Sequence, residues 1–306
     1  MKRINFGALV FGTILAAGTL MSGSDAKSDG TTVGNVQAVY GNNIPPDQIE
    51  FLSTPDHMMS VVTSGAGTSD VWEALEHGEQ VECLDCVPIV ENLLYDSDPE
   101  KREIGAWWLR KRIFGVFGPG EVYERTVNTL KSDPDAQKRA YAAGALGEFL
   151  SLAGVQPLSA AIAGDQSPRV RAAAATALGR LNDTGNGALS QAMADSDEGV
   201  RLAAIASAGR VNSFVDVAAA TKLTGDSSAM VRRKGAALLE SLRAKDSVMS
   251  LIALAQNDSD AGVRASACHA LGVLGDSSAK STLQHAAASD ADQFVRDQAT
   301  MALRRM

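Results

Sequence analysis

The sequence predicts an all-α protein, an α-solenoid of about seven stacked helical hairpins, and three observations carry that prediction. An arginine recurs at Arg102, Arg139, Arg171, Arg201, Arg232, Arg264 and Arg296, in steps of 37, 32, 30, 31, 32 and 32 residues. Six residues before each stands an aspartate: Asp96, Asp133, Asp165, Asp195, Asp226, Asp258 and Asp290. Three residues after each arginine comes Gly105, Ala142, Ala174, Ala204, Gly235, Ala267 or Ala299, and seven after comes Leu109, Leu146, Leu178, Ala208, Leu239, Leu271 or Leu303. A fixed period of roughly 20 to 50 residues is the mark of a repeat array.

Residues 1–26 read as a signal peptide. Lys2 and Arg3 precede an uncharged run from Phe6 to Met21, and small residues then lead to Ser24-Asp25-Ala26, the order of basic region, apolar region and cleavage site. The run is short for a bilayer span and holds Gly7, Gly12 and Gly18, so no stable span is expected after cleavage and the mature chain is expected to be periplasmic or secreted. Residues 27–68 are rich in Gly, Ser, Thr and Asn, with Pro45-Pro46, and read as a flexible linker. Residues 69–82 read as a capping helix: Asp70 and Glu73 have the spacing of a capping box, Trp72 and Leu75 share a face, and Gly78 stops the helix.

Residues 83–306 form the repeat solenoid. Each unit opens on an apolar segment such as VPIVENLLY or VMSLIALAQ, turns at its aspartate, and continues as a second helix. Offsets of −1, +3 and +7 from the arginine put Val170, Ala174 and Leu178 on one face of that helix. The acid or serine two residues after each aspartate (Asp98, Asp135, Ser167, Asp197, Ser228, Asp260, Asp292) is placed to cap it. Each arginine is expected to reach the turn aspartate of its own or the adjacent unit, so that the fourteen aspartates and arginines above form a structural ladder. A lone hairpin leaves an apolar face bare, and stacking covers it.

The frame Asp-turn-Val-Arg-Ala-Ala-x-x-Leu-Gly, with Val-Arg in five units, resembles the HEAT-like repeats of the phycobilisome-lyase type. It departs from that pattern at Lys101-Arg102 with Trp107-Trp108, and at Lys138-Arg139. The resemblance implies short helical hairpins; it does not fix a function, because such proteins range from enzymes to passive scaffolds.

The composition is 45% apolar and 21% charged with 5% aromatics, which is globular and calls for a core of small side chains. A net charge of −8 opposes phosphate backbones, so no nucleic acid is expected as a partner. Cys83 and Cys86 in VECLDCVP are expected to form a disulfide staple in an oxidising compartment. The redox alternative rests on the Cys-x-x-Cys spacing beside a helix N-terminus, without the βαβ pattern of a thioredoxin. Zinc lacks further ligands beyond His57 and His77, and Val87 stands where covalent haem requires histidine. Cys268 lies units away and is expected to be a buried free thiol.

No metal, cofactor or catalysis is expected. No Ser-His-Asp or paired-carboxylate arrangement stands out, and paired His-Glu motifs are absent. The second helices are expected to line an inner curve through offsets +5 and +9, which bring forward Trp107, Thr176, His269, Lys111, Glu148, Arg180, Arg210 and Arg305. Trp107, Trp108, Arg180, Arg210 and His269 are the partner-binding candidates, because Trp and Arg dominate hot spots. The competing expectation packs one tryptophan under the N-terminal helix. The function expected is an exported, non-catalytic protein-interaction scaffold. A thiol-disulfide protein using Cys83 and Cys86 and, on the resemblance, a tetrapyrrole-binding or lyase-like protein are the alternatives.

Overall fold

The computed structural model describes residues 54–78, 84–110, 112, 114–115, 118–182 and 186–306. The signal peptide, Cys83 and Lys111 lie outside the described residues. The chain divides into Met1–Asn43 and Ile44–Met306, and every element below belongs to the second unit.

Helix α1, Pro55–Thr63, falls where the linker was expected over 27–68. Thr54 caps it by accepting from the His57 amide at 3.3 Å, Pro55 opens it, and Met58 is wholly buried. The apolar residues Met58, Val61 and Val62 recur at helical spacing and supply the face that packs, within a run too short to show a sustained period in the sequence. Helix α2, Thr68–His77, buries Val71, Ala74 and Leu75. It begins before Asp70, and its N-cap Gly67 makes no side-chain bond, so the expected capping box is not formed. Thr68 instead donates to Asp98 Oδ2 at 2.8 Å, which ties this helix to the first hairpin's turn.

The first hairpin enters as a 3-10 turn Leu84–Cys86, helix α3 Val87–Glu91 and a 3-10 turn Asn92–Tyr95, followed by α4 Pro99–Arg110. Two short antiparallel strands, β1 Phe114–Gly115 and β2 Gly118–Pro119, pair Phe114 with Pro119 and account for the longer first step. Six hairpins follow. They are α5 Glu121–Ser132 with α6 Ala136–Glu148, α7 Val155–Gly164 with α8 Pro168–Leu181, and α9 Asn186–Ala192 with α10 Glu198–Ala208. Then come α11 Val217–Lys222 with α12 Ala229–Ser241, α13 Val248–Asn257 with α14 Ala261–Leu274, and α15 Lys280–Ser289 with α16 Gln293–Arg305. The architecture is the all-α solenoid.

Second helices stack in sequence, α4 on α6, α6 on α8 and so on to α14 on α16, while each first helix packs on its own second helix. The +3 row is buried throughout, and the +7 row is buried in all but the last unit, where Leu303 is half-buried. Small residues set the spacing: a Cβ at Gly179 would stand 2.9 Å from Ser207 Cα, and one at Gly272 would stand 2.5 Å from Ala302 Cα. At these places the helices meet backbone to backbone.

The ladder runs between repeats. Arg139 Nε lies 2.7 Å from Asp165 Oδ2, Arg171 2.6 Å from Asp195, Arg201 2.7 Å from Asp226, Arg232 2.6 Å from Asp258 and Arg264 2.8 Å from Asp290. In each case Nη1 donates to the carbonyl of the arginine's own turn aspartate, so one guanidinium holds its own turn by a carbonyl and the next turn by a carboxylate. Each gripped carboxylate also accepts from the amide two residues on. Asp135, Asp197, Ser228, Asp260 and Asp292 cap the second helices, whereas Ser167 occupies the cap position without a side-chain bond. At Arg102 and Arg296 the ladder keeps only the bond to the arginine's own turn aspartate, through its carbonyl. Among the described residues Arg102 grips no carboxylate and stacks on Tyr141 instead, and Arg296 donates to the Asp290 carbonyl and to Gln293.

Candidate functional site: the face of the second helices

A helix whose −1, +3 and +7 positions are buried presents +5 and +9 on the other side. In this face Gly144, Thr176, Ala206, Ala237 and Met301 are exposed at +5, and Trp107 and His269 are half-buried. At +9, Arg180, Arg210, Ser241 and Arg305 are exposed and Glu148 is half-buried.

Arg180 is ion-paired with Glu148 of the preceding repeat. His269 Nδ1 lies 2.8 Å from Glu240 Oε2, and its Nε2 lies 3.2 Å from Arg305 Nη1, which makes a carboxylate–imidazole–guanidinium chain across three repeats. The structure separates the two tryptophans. Trp107 stacks on Trp72 of α2, with ring centroids 5.8 Å apart and planes 18° from parallel. Trp108 is wholly buried, with the Arg112 guanidinium carbon 3.7 Å above its ring. Trp108 is therefore corrected from partner-binding candidate to core residue, because at +6 it faces the stack. Arg112 also donates to the carbonyls of Trp108 and Gly78, fastening α4 to the end of α2.

Two depressions mark the face. A groove of 360 Å³ over α4, α6 and α8 is floored by Ala140, Gly144 and Ala177, and Arg102, Tyr141 and Arg180 stand around it. A second depression, of 580 Å³ between α10 and α12, is lined by Leu202, Ile205, Arg210, Met230, Lys234 and Leu238. Tyr141, Met230 and Lys234 escape a reading by offsets +5 and +9 because they occupy +2 and −2; the signal in the sequence is that Tyr141 is the one aromatic residue of the +2 row.

Cys86 is disulfide-bonded and its side chain is wholly enclosed. Cys268 is free and buried, and burial pushes its thiol up to about 12. Among the described residues, no group of three or more His, Cys, Asp or Glu is placed to hold a metal ion, and no helix is long and apolar enough to cross a membrane.

The HEAT repeats family matches at residues 123–209 and 217–304. No curated protein sequence matches the chain. Among solved structures, a chain of the Kap95p–RanGDP complex superposes with a TM-score of 0.62 at 13% identity, covering 87% of this chain and 45% of that one. Escherichia coli YibA gives a TM-score of 0.54 at 17% identity, covering 90% of this chain and 99% of its own. The CpcE–CpcF complex of phycocyanin lyase from Nostoc sp. PCC7120 gives 0.38 at 20% identity, over 71% and 86%.

Proposed function

The chain belongs to the HEAT repeats family, whose model matches more than half of it. We propose that it is an exported, non-catalytic protein-interaction scaffold that engages a protein partner through the face of its second helices. The observation that carries this reading is what stacking leaves unused. Met230 remains 41% exposed, beside Leu202, Lys234 and Arg210 in a single depression, on helices whose other faces are buried. Apolar side chains ringed by arginine and lysine match the composition of an interface core and its hot spots. The Kap95p–RanGDP complex supplies a precedent for this fold in a protein–protein assembly.

The Cys83–Cys86 pair is assigned as a structural staple. Thiol-disulfide exchange needs a thiolate to reach a disulfide sulfur, and enclosure of Cys86 works against that. Export rests on the order of basic, apolar and small residues in 1–26.

A photo-crosslinker placed at Met230 is expected to capture a protein from the exported fraction, and one at Met249 of the first helix α13 is not. Capture at both, or at neither, removes the reading. In an insulin-reduction assay the wild type is expected to match Cys83→Ala; turnover that disappears in the variant means a redox enzyme. The protein purified from its host is expected to be colourless, and a visible absorbance band returns the tetrapyrrole reading.

A further inference from the structure

Five ladder arginines are used alike. The Nε–Nη2 edge faces an aspartate of the next repeat, with hydrogen bonds from both nitrogens in four cases and from Nη2 alone in Arg201, and Nη1 holds carbonyls of the arginine's own turn. Arg102 keeps only the second half of this arrangement, with Nη1 donating to the carbonyls of Asp96 at 2.6 Å and Ser97 at 2.9 Å. Its guanidinium carbon lies 4.0 Å from the centroid of the Tyr141 ring. Tyr141 sits at offset +2, where the later repeats carry Ala173, Ala203, Lys234, Ser266 and Gln298. The second repeat alone supplies an aromatic platform there, and Arg102 occupies it instead of gripping Asp133. A guanidinium covered on one face keeps its in-plane N–H groups for an acceptor. Arg102 is one of the residues that line the 360 Å³ groove.

We propose that Arg102 anchors a carboxylate-binding site, and that the groove takes an aspartate or glutamate side chain presented by a polypeptide partner. The proposal rests on the scaffold reading and gives its partner a chemistry. The ligand class follows from the five internal copies, in which the same edge of the same residue holds an aspartate set in a helix-opening turn. The carrier follows from the groove. Its charged residues balance, Arg102 and Arg180 against Glu103 and Glu148, with Arg180 and Glu148 already paired. Glu103 is exposed on the rim, where water screens it. Such a site has no field to concentrate free anions. Its floor of Ala140, Gly144 and Ala177 is bare of long side chains and admits a peptide backbone.

The test follows the Arg102 Nε–H by heteronuclear NMR in the full chain. The probe is an acetylated, amidated peptide copying residues 192–200 (AMADSDEGV), the turn that Arg171 grips. A saturable shift of the Arg102 signal is expected. The control peptide carries Asp195→Asn, Asp197→Asn and Glu198→Gln and is expected to give none. Arg102→Lys, which keeps the charge and loses the fork, is expected to weaken binding about tenfold, read from backbone amides around the groove. The wild-type titration stands whether or not that variant folds. No shift at millimolar acidic peptide, or an equal shift from the neutral control, overturns the site. Equal affinity for free succinate overturns the polypeptide assignment. A partner crosslinked at Met230 whose binding ignores Arg102→Lys overturns this proposal and leaves the scaffold reading. An Arg102 response to peptide with no partner captured does the reverse.

Discussion

At the residue scale the informative group is the guanidinium that serves two turns at once. Arg171 donates to the Asp165 carbonyl at 2.9 Å and grips Asp195 through Nε and Nη2 at 2.6 and 2.8 Å. Removing it leaves a carboxylate and a carbonyl short of their donors, so Arg171→Ala is expected to cost about 2–3 kcal/mol in chemical denaturation, with Arg171→Lys recovering only part. The carboxylates carry the pH dependence. Arg171, Arg232 and Arg264 hold Asp195, Asp258 and Asp290 below the usual carboxylate range. At Asp165 burial pushes upward and is outweighed by Arg139 and the Ser167 amide, so it is lowered too. Groups lowered in the folded state bind more protons when unfolded. Their stabilisation is full above the unfolded value of about 4 and is lost as pH falls through the folded values. Thermal melts are expected to be flat in this respect from neutrality to about pH 5 and to drop steeply below about pH 4. A melting temperature that holds to pH 2 contradicts the ladder.

At the element scale, helix starts and close crossings decide where substitutions hurt. Asp292 accepts from the amides of Phe294 and Val295, so Asp292→Ala is expected to cost about 1 kcal/mol, whereas Ser167→Ala, lacking a side-chain cap bond, costs far less. Denaturant midpoints of the two variants measure the contrast. At Gly272 two effects compete. Alanine gains about 1 kcal/mol of helix propensity, but its Cβ meets backbone at Ala302, and overpacking of that kind costs about 1–3 kcal/mol. Gly272→Ala is therefore expected to lower the melting temperature. Most of this was legible in the sequence, because caps, small residues and apolar rows fall at fixed offsets from a recurring arginine. Helix α1 was not legible, since its apolar residues Met58, Met59, Val61 and Val62 make a run too short to show a sustained period within a stretch rich in Gly, Ser, Thr and Asn. Nor was the fate of Arg102, because a period finds equivalent positions and is blind to what replaces the neighbour, here Tyr141.

At the scale of the whole described unit, the repeats differ most at the two ends of the array. In the sixth hairpin, offsets +1, +4 and +8 are Ala265, Cys268 and Gly272, all buried. In the seventh the same offsets carry Asp297, Thr300 and Arg304, all exposed. The seventh hairpin thus presents a polar face where the sixth presents one that packing covers. At the other end, α1 and α2 close the first hairpin through Met58, the Thr68–Asp98 bond and the Trp72–Trp107 stack. The face proposed to bind, by contrast, was only half legible: Trp107, Arg180, Arg210 and His269 were placed on it by offset alone, while Trp108 went to the core.

The enclosed thiol of Cys268 makes this molecule its own stopwatch. A thiol reagent modifies a sulfur only while it is uncovered, so the rate of labelling rises with the fraction of time the seventh hairpin spends parted from the sixth, or with the frequency of parting where the reagent outruns reclosing. Arg264→Lys, which loosens the grip on Asp290, is expected to quicken that rate well before any optical probe registers unfolding, and equal rates in the two proteins mean that the Arg264–Asp290 rung does not govern the parting.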